Sequence, residues 1–341
     1  MRSQPSLKVH VFRIQEGLGN ACLLQFPDDT CGIVDWGTRR KEPMEAALTI
    51  AGNRGFRFVA ASHAHADHTA GLATILRECV KRKIDVGRFV YPASTVNKEN
   101  AYLTKARVVA YDHDIPMFPI GVDMPRASTH AWQPRCLAED EESWEVLVLS
   151  PAVTDSAAAE IRAMKKSEVP GNETSLVVLF RYTDEDSAAG LGRVLLPGDA
   201  TPATLEFARQ TAAGSDELSL DNQMFLVPHH GSRRNLPAWL SNHTKGIAVV
   251  SGRTNSLQHP SLVALQSLRQ WTGKSAGIFC TSYARCCAKA FGKQAVGAEK
   301  ALVKPGSCFG DIVIRIPPDQ PAQFESSSDP GDRRRKFGYC Q

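Results

Sequence analysis

Short apolar runs that end in polar or turn residues recur along this chain, and they predict buried β-strands. These runs occupy residues 56–61, 194–196, 224–227 and 247–251. Apolar positions with helical spacing follow the first run, where Leu72, Ile75 and Cys79 recur at intervals of three and four. Because strands alternate with helices in this way, the pattern predicts a mixed α/β fold.

The segment between residues 101 and 145 departs from this pattern. It is rich in proline and polar residues, which predicts an irregular region that carries substrate contacts or forms a lid. Regular elements are expected on both sides of it. They are strands at residues 89–91, 145–149, 176–182, 277–281 and 312–316, and helices at residues 157–168, 202–213 and 260–272.

The composition is that of a single globular unit. The 341 residues are 43% hydrophobic and 22% charged, which suffices for a sizeable core, and we expect one α/β domain over residues 8–316. The tail at residues 317–341 has few apolar residues and a basic cluster at 333–336, so we expect it to be disordered. A net charge of +4 does not by itself define a surface for nucleic acid.

The chain contains no apolar signal segment and no apolar run of membrane-spanning length, which predicts a cytoplasmic protein without membrane contact. Its nine cysteines are an odd number, so we expect reduced thiols rather than a disulfide framework. Four of them lie late in the chain, where a structural zinc site is the alternative to free thiols. These are Cys280, Cys286, Cys287 and Cys308.

Three histidines and one aspartate occupy six consecutive positions shortly after the run at residues 56–61. They are His63, His65, Asp67 and His68. In a helix, His63 and His65 would point about 200° apart, so this cluster requires a loop between the strand and the next helix. Imidazole and carboxylate groups suit Zn²⁺, with Mn²⁺ as an alternative, and a metal-bound hydroxide is then the expected nucleophile. The cluster therefore predicts a hydrolase that holds one or two metal ions.

Other polar residues follow apolar strands in the same manner. Asp35 and Asp199 each end such a strand, and residues 228–232, Pro-His-His-Gly-Ser, follow another. His259 immediately precedes Pro260, and proline is a favoured first residue of a helix. A carboxylate such as Asp35 commonly accepts the second N–H of a metal-bound histidine and so orients the ring.

The spacing H-x-H-x-D-H at residues 63–68 resembles the signature of the metallo-β-lactamase superfamily. The resemblance implies an α/β fold of the αββα four-layer sandwich type, in which two mixed β-sheets pack face to face between helices. It also implies that the histidines and Asp67 of this segment bind metal, that Asp199 is the carboxylate bridging two ions, and that Asp35 orients the ligand loop.

Residues 228–232 are similar to the ComEC-type branch of the superfamily, named after the hydrolase-like domain of bacterial DNA-uptake channels. The match covers residues 8–316 without a membrane channel, which implies a stand-alone hydrolase. Superfamily members with a full two-metal site place a histidine near the position of Asn172, whereas the ComEC-type branch has asparagine there. Asparagine is the poorer ligand, so this departure weakens one metal position or leaves a water in place of a ligand.

Three histidines are candidates to complete the shell of a second metal, namely His229, His230 and His259. We expect His259 to bind metal because it precedes a helix start, which also suits an anionic ligand. His229 or His230 is then expected to contact the substrate.

The sequence thus predicts a metal-dependent phosphodiesterase, with nucleic acid as the leading substrate. Asp67 would orient or deprotonate the attacking water, and His229 or His230 would stabilise the transition state. Candidates for further substrate contacts follow site-proximal segments, and they are Ser232, Arg233, Arg234 and Arg253. One alternative is a hydrolase of a small ester, lactone or cyclic nucleotide. Another is a metal-binding sensor or partner-binding protein without turnover.

Overall fold

The computed structural model describes residues 5–14, 19–93, 100–121, 134–140, 143–150, 172–183, 191–214, 218–251, 259–272, 277–281 and 311–327. The elements of its first half are β1 (Leu7–Val11), β2 (Ala21–Gln25), β3 (Cys31–Trp36), α1 (Lys41–Ala51), β4 (Phe56–Ala60), α2 (Ala66–Thr69), α3 (Leu72–Arg82), β5 (Phe89–Pro92), α4 (Ala101–Asp112) and β6 (Met117–Ile120). Those that follow are β7 (Arg135–Asp140), β8 (Trp144–Val148), β9 (Val178–Tyr182), β10 (Val194–Leu196), α5 (Pro202–Ala213), β11 (Asn222–Leu226), β12 (Thr244–Val250), α6 (Leu262–Thr272), β13 (Ile278–Cys280), β14 (Ile312–Ile316) and β15 (Gln323–Ser327).

The strands form two mixed sheets, one of eight and one of seven strands in the described part of the chain. The first sheet has the order β15-β14-β1-β2-β3-β4-β5-β6, and the second has the order β13-β12-β11-β10-β9-β8-β7. Each sheet is antiparallel in one half and parallel in the other. The parallel strands are β3 to β6 in the first sheet and β10 to β13 in the second.

The two sheets pack face to face on an apolar core. Along β1, the alternate residues Leu7, Val9 and Val11 are buried in this core, as the two-residue period of a strand requires. Aromatic rings from the two sheets stack there, and the ring centroids of Phe26 and Trp144 lie 4.4 Å apart. This contact fixes the position of one sheet against the other, so that loops from both can form one site.

Helices cover the outer face of each sheet. Helices α1, α3 and α4 pack on the first sheet through side chains that include Leu48, Leu76 and Leu103. On the second sheet, α5 and α6 pack through Leu205 and Leu265. The layers are therefore helix, sheet, sheet and helix, which confirms the predicted αββα fold class.

The expectation of an irregular region at residues 101–145 is wrong, because α4, β6 and β7 lie within it. The side chain of Asn100 caps α4 by accepting hydrogen bonds from the backbone N–H groups of Tyr102 and Leu103. Apolar residues lie on all sides of α4, and Val108 and Tyr111 are exposed. No distinct apolar stripe therefore marks this helix in the sequence.

The fold continues past the domain boundary that we predicted at residue 316. Strand β15 pairs with β14, and the ring of Phe324 stacks at 5.0 Å on the ring of Phe279 in the second sheet. Residues 317–327 thus belong to the sandwich rather than to a tail. One aromatic residue among polar neighbours made too weak a pattern to reveal the strand. Residues 328–341 lie outside the described residues.

Several predicted features also lie outside the described residues, and they are the helix at 157–168, Arg253, Cys286, Cys287 and Cys308. The remaining cysteine of the late group, Cys280, is buried in β13. Among the helices that the structure describes, none combines the length and apolar character needed to cross a membrane.

Candidate metal centre

Loops at the carboxyl ends of parallel strands in both sheets meet at one place. The loop after β4 leads into α2, and the loops after β10 and β11 approach it from the second sheet. Their side chains bring together six residues with metal-ligating groups. These are His63, His65, Asp67, His68, Asp199 and His230. The carboxyl ends of parallel strands are the usual position of ligand sites in α/β folds.

Asp35, the fifth residue of β3, organises the ligand loop. Its carboxylate accepts hydrogen bonds from the backbone N–H of Ser62 at 2.6 Å and from the hydroxyl of Ser62 at 2.8 Å. Its Oδ2 atom also lies 2.7 Å from Nδ1 of His68. Asp35 has a left-handed backbone with φ 63°, a conformation that aspartate tolerates better than most residues. By holding Nδ1, Asp35 turns Nε2 of His68 toward the centre.

Two glycines allow the loops to approach closely. A Cβ atom at Gly37 would lie 1.7 Å from the carbonyl oxygen of Asp67. A Cβ atom at Gly198, where φ is +56°, would lie 2.5 Å from the hydroxyl of Ser62. A side chain at either position would separate the segments that carry the candidate ligands.

Asp199 lies between two groups of candidate ligands. Its Oδ1 atom is 3.2 Å from Nε2 of His68 and 3.7 Å from Nε2 of His230, whereas its Oδ2 atom is 3.8 Å from Nε2 of His63. In each group the ligand atoms lie within 4.8 Å of one another. One group consists of Asp67, His68, Asp199 and His230, and the other of His63, His65 and Asp199. Each oxygen of Asp199 thus faces a different group, as a bridging carboxylate would.

Unsatisfied buried atoms converge between these residues. Among the described residues, the Nε2 atoms of His63, His68 and His230 and the Oδ1 atom of Asp199 are buried without a hydrogen-bond partner. Each such atom costs about 1–3 kcal/mol, so four of them at one point favour the binding of a shared partner. Imidazole nitrogen with carboxylate oxygen is a donor set of zinc sites. The residues therefore fit a centre of one or two metal ions.

The electrostatics keep most of this donor set in its ligating form. Burial lowers the pKa of His63 well below its ordinary value, which leaves the ring neutral. Burial acts to raise the pKa of Asp199, but the nearby imidazoles of His68 and His230 outweigh this effect and lower the pKa well below its ordinary value. Burial of the ring acts to lower the pKa of His68, but the carboxylates of Asp199 and Asp35 outweigh this effect and raise the pKa well above its ordinary value. A cation at Nε2 of His68, either a proton or a metal ion, is thus favoured by its surroundings.

The segment after β11 separates its two histidines. His229 and His230 both adopt left-handed backbone conformations, with φ values of 48° and 52°. The ring of His230 is buried in the ligand group and donates from Nδ1 to the carbonyl oxygen of Ser251 at 3.0 Å, which leaves Nε2 directed at the centre. The ring of His229 lies at the edge of the centre and is 27% exposed.

The structure differs from the sequence-based expectation at His259. It groups His230, not His259, with the candidate ligands, and the ring of His259 instead packs 5.1 Å from the ring of His229. The helix expected at Pro260 begins at Leu262, where the hydroxyl of Ser261 accepts a hydrogen bond from Ala264 N–H. Two successive left-handed residues redirect His230 inward, and no sequence pattern signals such a turn.

Asn172 lies in a short 3₁₀ turn, Asn172–Thr174. Its amide Nδ2 lies 2.9 Å from Nδ1 of His229. After the two histidines, Ser232 is buried, whereas Arg233 and Arg234 are exposed. Neither arginine forms an ion pair with the residues that the structure describes.

Two site residues have no part in the sequence-based predictions. Ser62 connects Asp35 to the ligand loop, and its backbone carbonyl accepts a hydrogen bond at 2.8 Å from the N–H of Leu176, two residues before β9 of the second sheet. Ser251 accepts the hydrogen bond from His230, and its hydroxyl donates to the carbonyl oxygen of Gly19. Both residues lie within two positions of the end of a strand, Ser62 after β4 and Ser251 after β12, and this position was the only signal available for them.

No family model matches the sequence, and no curated protein matches it. Among solved structures, the chain is similar to the metallo-β-lactamase fold protein YhfI from Bacillus subtilis, with 11% identity, a TM-score of 0.45, and coverage of 81% of this chain and 96% of that chain. A metal-dependent hydrolase of the β-lactamase superfamily matches with 12% identity and a TM-score of 0.44, and the match covers 80% of this chain and 95% of that chain. A diphosphatase from the PhnP family matches with 13% identity and a TM-score of 0.37, and the match covers 72% of this chain and 87% of that chain.

The ComEC-type resemblance stays a prediction.

Proposed function

We propose that this protein is a metal-dependent hydrolase of phosphodiesters and that nucleic acid is its substrate. The observation that supports the metal-dependent part most strongly is the sharing of buried Asp199 between two ligand groups. The unsatisfied Nε2 atoms of His63, His68 and His230 point to the same conclusion. When bound, Zn²⁺ or Mn²⁺ supplies an activated water and neutralises charge on the group under attack.

The chain itself supplies an orienting carboxylate and a rigid frame for this chemistry. Asp67 is the more exposed of the two central carboxylates, since its side chain is 32% exposed and that of Asp199 is 3% exposed. Burial acts to raise the pKa of Asp67, but the nearby imidazole of His230 outweighs this effect and lowers the pKa. The carboxylate is therefore ionised at neutral pH. Asp67 can therefore orient an incoming water by accepting a hydrogen bond from it. Asp199 is enclosed and stays a structural carboxylate of the centre.

The preference for an anionic substrate is supported by the segment after the paired histidines. Arg233 and Arg234 lie three and four residues after His230, are exposed, and have no acidic partner among the described residues. Guanidinium groups bind phosphate oxygens with two parallel hydrogen bonds. A second phosphate of a polymer can thus be held beside the one that is cleaved.

The test is a substrate panel on purified protein that has been stripped with chelator and reloaded with Zn²⁺ or Mn²⁺. The panel contains single-stranded DNA, duplex DNA, RNA, a chromogenic phosphodiester and a lactone, with Asp199→Asn as the inactive control. Cleavage of a nucleic acid by the reloaded wild type alone supports the proposal. Turnover of only the small esters would replace it with the small-ester alternative, and metal binding without any turnover would replace it with a sensor.

A further inference from the structure

His229 differs from the three most buried histidines of the centre in position and surroundings. Its side chain is 27% exposed, whereas those of His63, His68 and His230 are at most 1% exposed. Its Nε2 atom lies 3.9 Å from Oδ2 of Asp199, yet His229 belongs to neither ligand group. The ring therefore faces the centre from the side that a substrate can reach.

The contact with Asn172 determines which nitrogen of this ring carries the proton. The amide nitrogen Nδ2 of Asn172 lies 2.9 Å from Nδ1 of His229. With the amide in this orientation its nitrogen can only donate, so Nδ1 is the acceptor. In a neutral imidazole the proton then lies on Nε2, the atom that faces Asp199. Nε2 of His229 is thus an N–H donor, unlike the Nε2 atoms of His68 and His230, whose Nδ1 atoms face an acceptor.

Both partners of this contact are held in place. The backbone N–H of His229 donates to the carbonyl oxygen of Gly198 at 3.2 Å, next to Asp199. One face of the ring packs on the ring of His259 at 5.1 Å. On the other side, the backbone carbonyl oxygen of Asn172 accepts a hydrogen bond from Ser175 N–H at 3.2 Å, which holds the turn that carries the amide. The donor therefore has a fixed direction before any substrate binds.

We infer that Asn172 is a positioning residue that holds His229 as a hydrogen-bond donor to the reacting phosphoryl group. The Nε2–H group would donate to a non-bridging phosphoryl oxygen, whose negative charge increases as water attacks. This inference rests on the proposed hydrolase function. It also gives a physical role to asparagine at this position. A carboxylate there would draw the proton to Nδ1 and turn Nε2 into a metal-binding lone pair.

The first test is spectroscopic and needs no activity. Long-range ¹⁵N–¹H correlation spectra of the metal-free protein report which ring nitrogen of each histidine is protonated. We expect the proton of His229 on Nε2 in the wild type and on Nδ1 in Asn172→Asp. His243 serves as the internal reference because its Nδ1 faces the carboxylate of Asp221 at 2.8 Å, away from the centre. The ring signals of His243 should show the same protonation pattern as those of His229 in Asn172→Asp. They should be the same in the wild type and in Asn172→Asp.

The second test is kinetic and uses the small chromogenic phosphodiester. Glutamine can present an N–H near the position of Nε2, whereas asparagine is too short to do so. His229→Gln should therefore keep kcat within about tenfold of the wild type, and His229→Asn should lose roughly 100-fold in kcat with little change in KM. Asn172→Ala should lose roughly 10- to 100-fold in kcat, as expected when an orienting group is removed. Circular dichroism and metal content verify that each variant is folded and loaded.

The outcomes separate this inference from the proposed function. If the wild type cleaves no phosphodiester, the proposed function fails whatever the spectra show. If it cleaves them but the proton of His229 lies on Nδ1, Asn172 has the opposite orientation and the inference is overturned. Equal loss of kcat in His229→Gln and His229→Asn, with normal folding and metal content, would also overturn it.

Discussion

Replacement of Asp35 by asparagine tests how the ligand loop is held. Asparagine has nearly the same shape and tolerates the left-handed backbone of this position, where φ is 63°. Its oxygen can still accept the N–H of Ser62, and its amide can donate to the hydroxyl of Ser62. The contact with Nδ1 of His68 is the one that changes, because an amide N–H cannot accept a proton. The ring must then carry its proton on Nε2, the candidate ligand atom.

Two effects of different size follow. The loss of a buried charge-assisted hydrogen bond should reduce the free energy of unfolding of the metal-free protein by about 1.5–3 kcal/mol. Metal affinity should fall by roughly 10- to 100-fold, the usual effect of losing the group that orients a ligating histidine. The first is measured by urea unfolding with chelator present, and the second by competition with a chromogenic zinc chelator.

The matched control is Asp221→Asn, because Asp221 makes the same type of contact with His243 at 2.8 Å outside the centre. This pair is more exposed, with 18% and 27% of the side chains accessible, so the loss of stability should be smaller. Metal affinity should not change. If Asp35→Asn reduced metal affinity no more than Asp221→Asn, the reasoning about His68 would be refuted.

Two further predictions concern the substrate and the pH dependence of stability. Loss of Arg233 and Arg234 together should raise KM for nucleic acid. The slope of log KM against log salt concentration should fall by up to about two, and KM for the small diester should change little. The control, Arg54→Ala with Lys81→Ala, removes the same charge near the opposite end of β4, and an equal effect there would contradict a specific contact. Burial lowers the pKa of His10 from 6.5 to about 4. Protonation therefore favours the unfolded chain, and stability should fall between pH 6.5 and 4 by at most about 3 kcal/mol. Urea unfolding of His10→Gln should show a flatter profile in this range, and a profile identical to the wild type would contradict the assignment.

Much of the sandwich follows from local patterns. Short apolar runs mark the central strands because both faces of these strands are buried, as in β11, where all five residues are buried. The elements that the sequence does not reveal are those with weak patterns. Helix α4 has exposed apolar residues opposite its buried ones, and β15 has a single aromatic residue that packs on the core. In both, the tertiary partner rather than the local sequence decides the structure.

The candidate centre was predictable in its residue types and in their positions after strands. Asp35 lies at the end of β3, Asp199 and the segment at residues 63–68 follow β10 and β4, and parallel strands bring such residues to one edge. The choice between His230 and His259 was not predictable. It depends on two successive left-handed residues, which turn neighbouring side chains in different directions. The contact between Asn172 and His229 joins residues 57 positions apart, so only the packed sheets reveal it.

Anomalous diffraction from crystals grown with Zn²⁺ tests the central claim most directly. We expect a zinc peak bound to the carboxylate of Asp199, with imidazole ligands from the loop after β4 and with His230 from the loop after β11. A second peak on the His63 and His65 side would show that both oxygens of Asp199 are used. Absence of any peak at Asp199 from fully loaded protein would contradict the account.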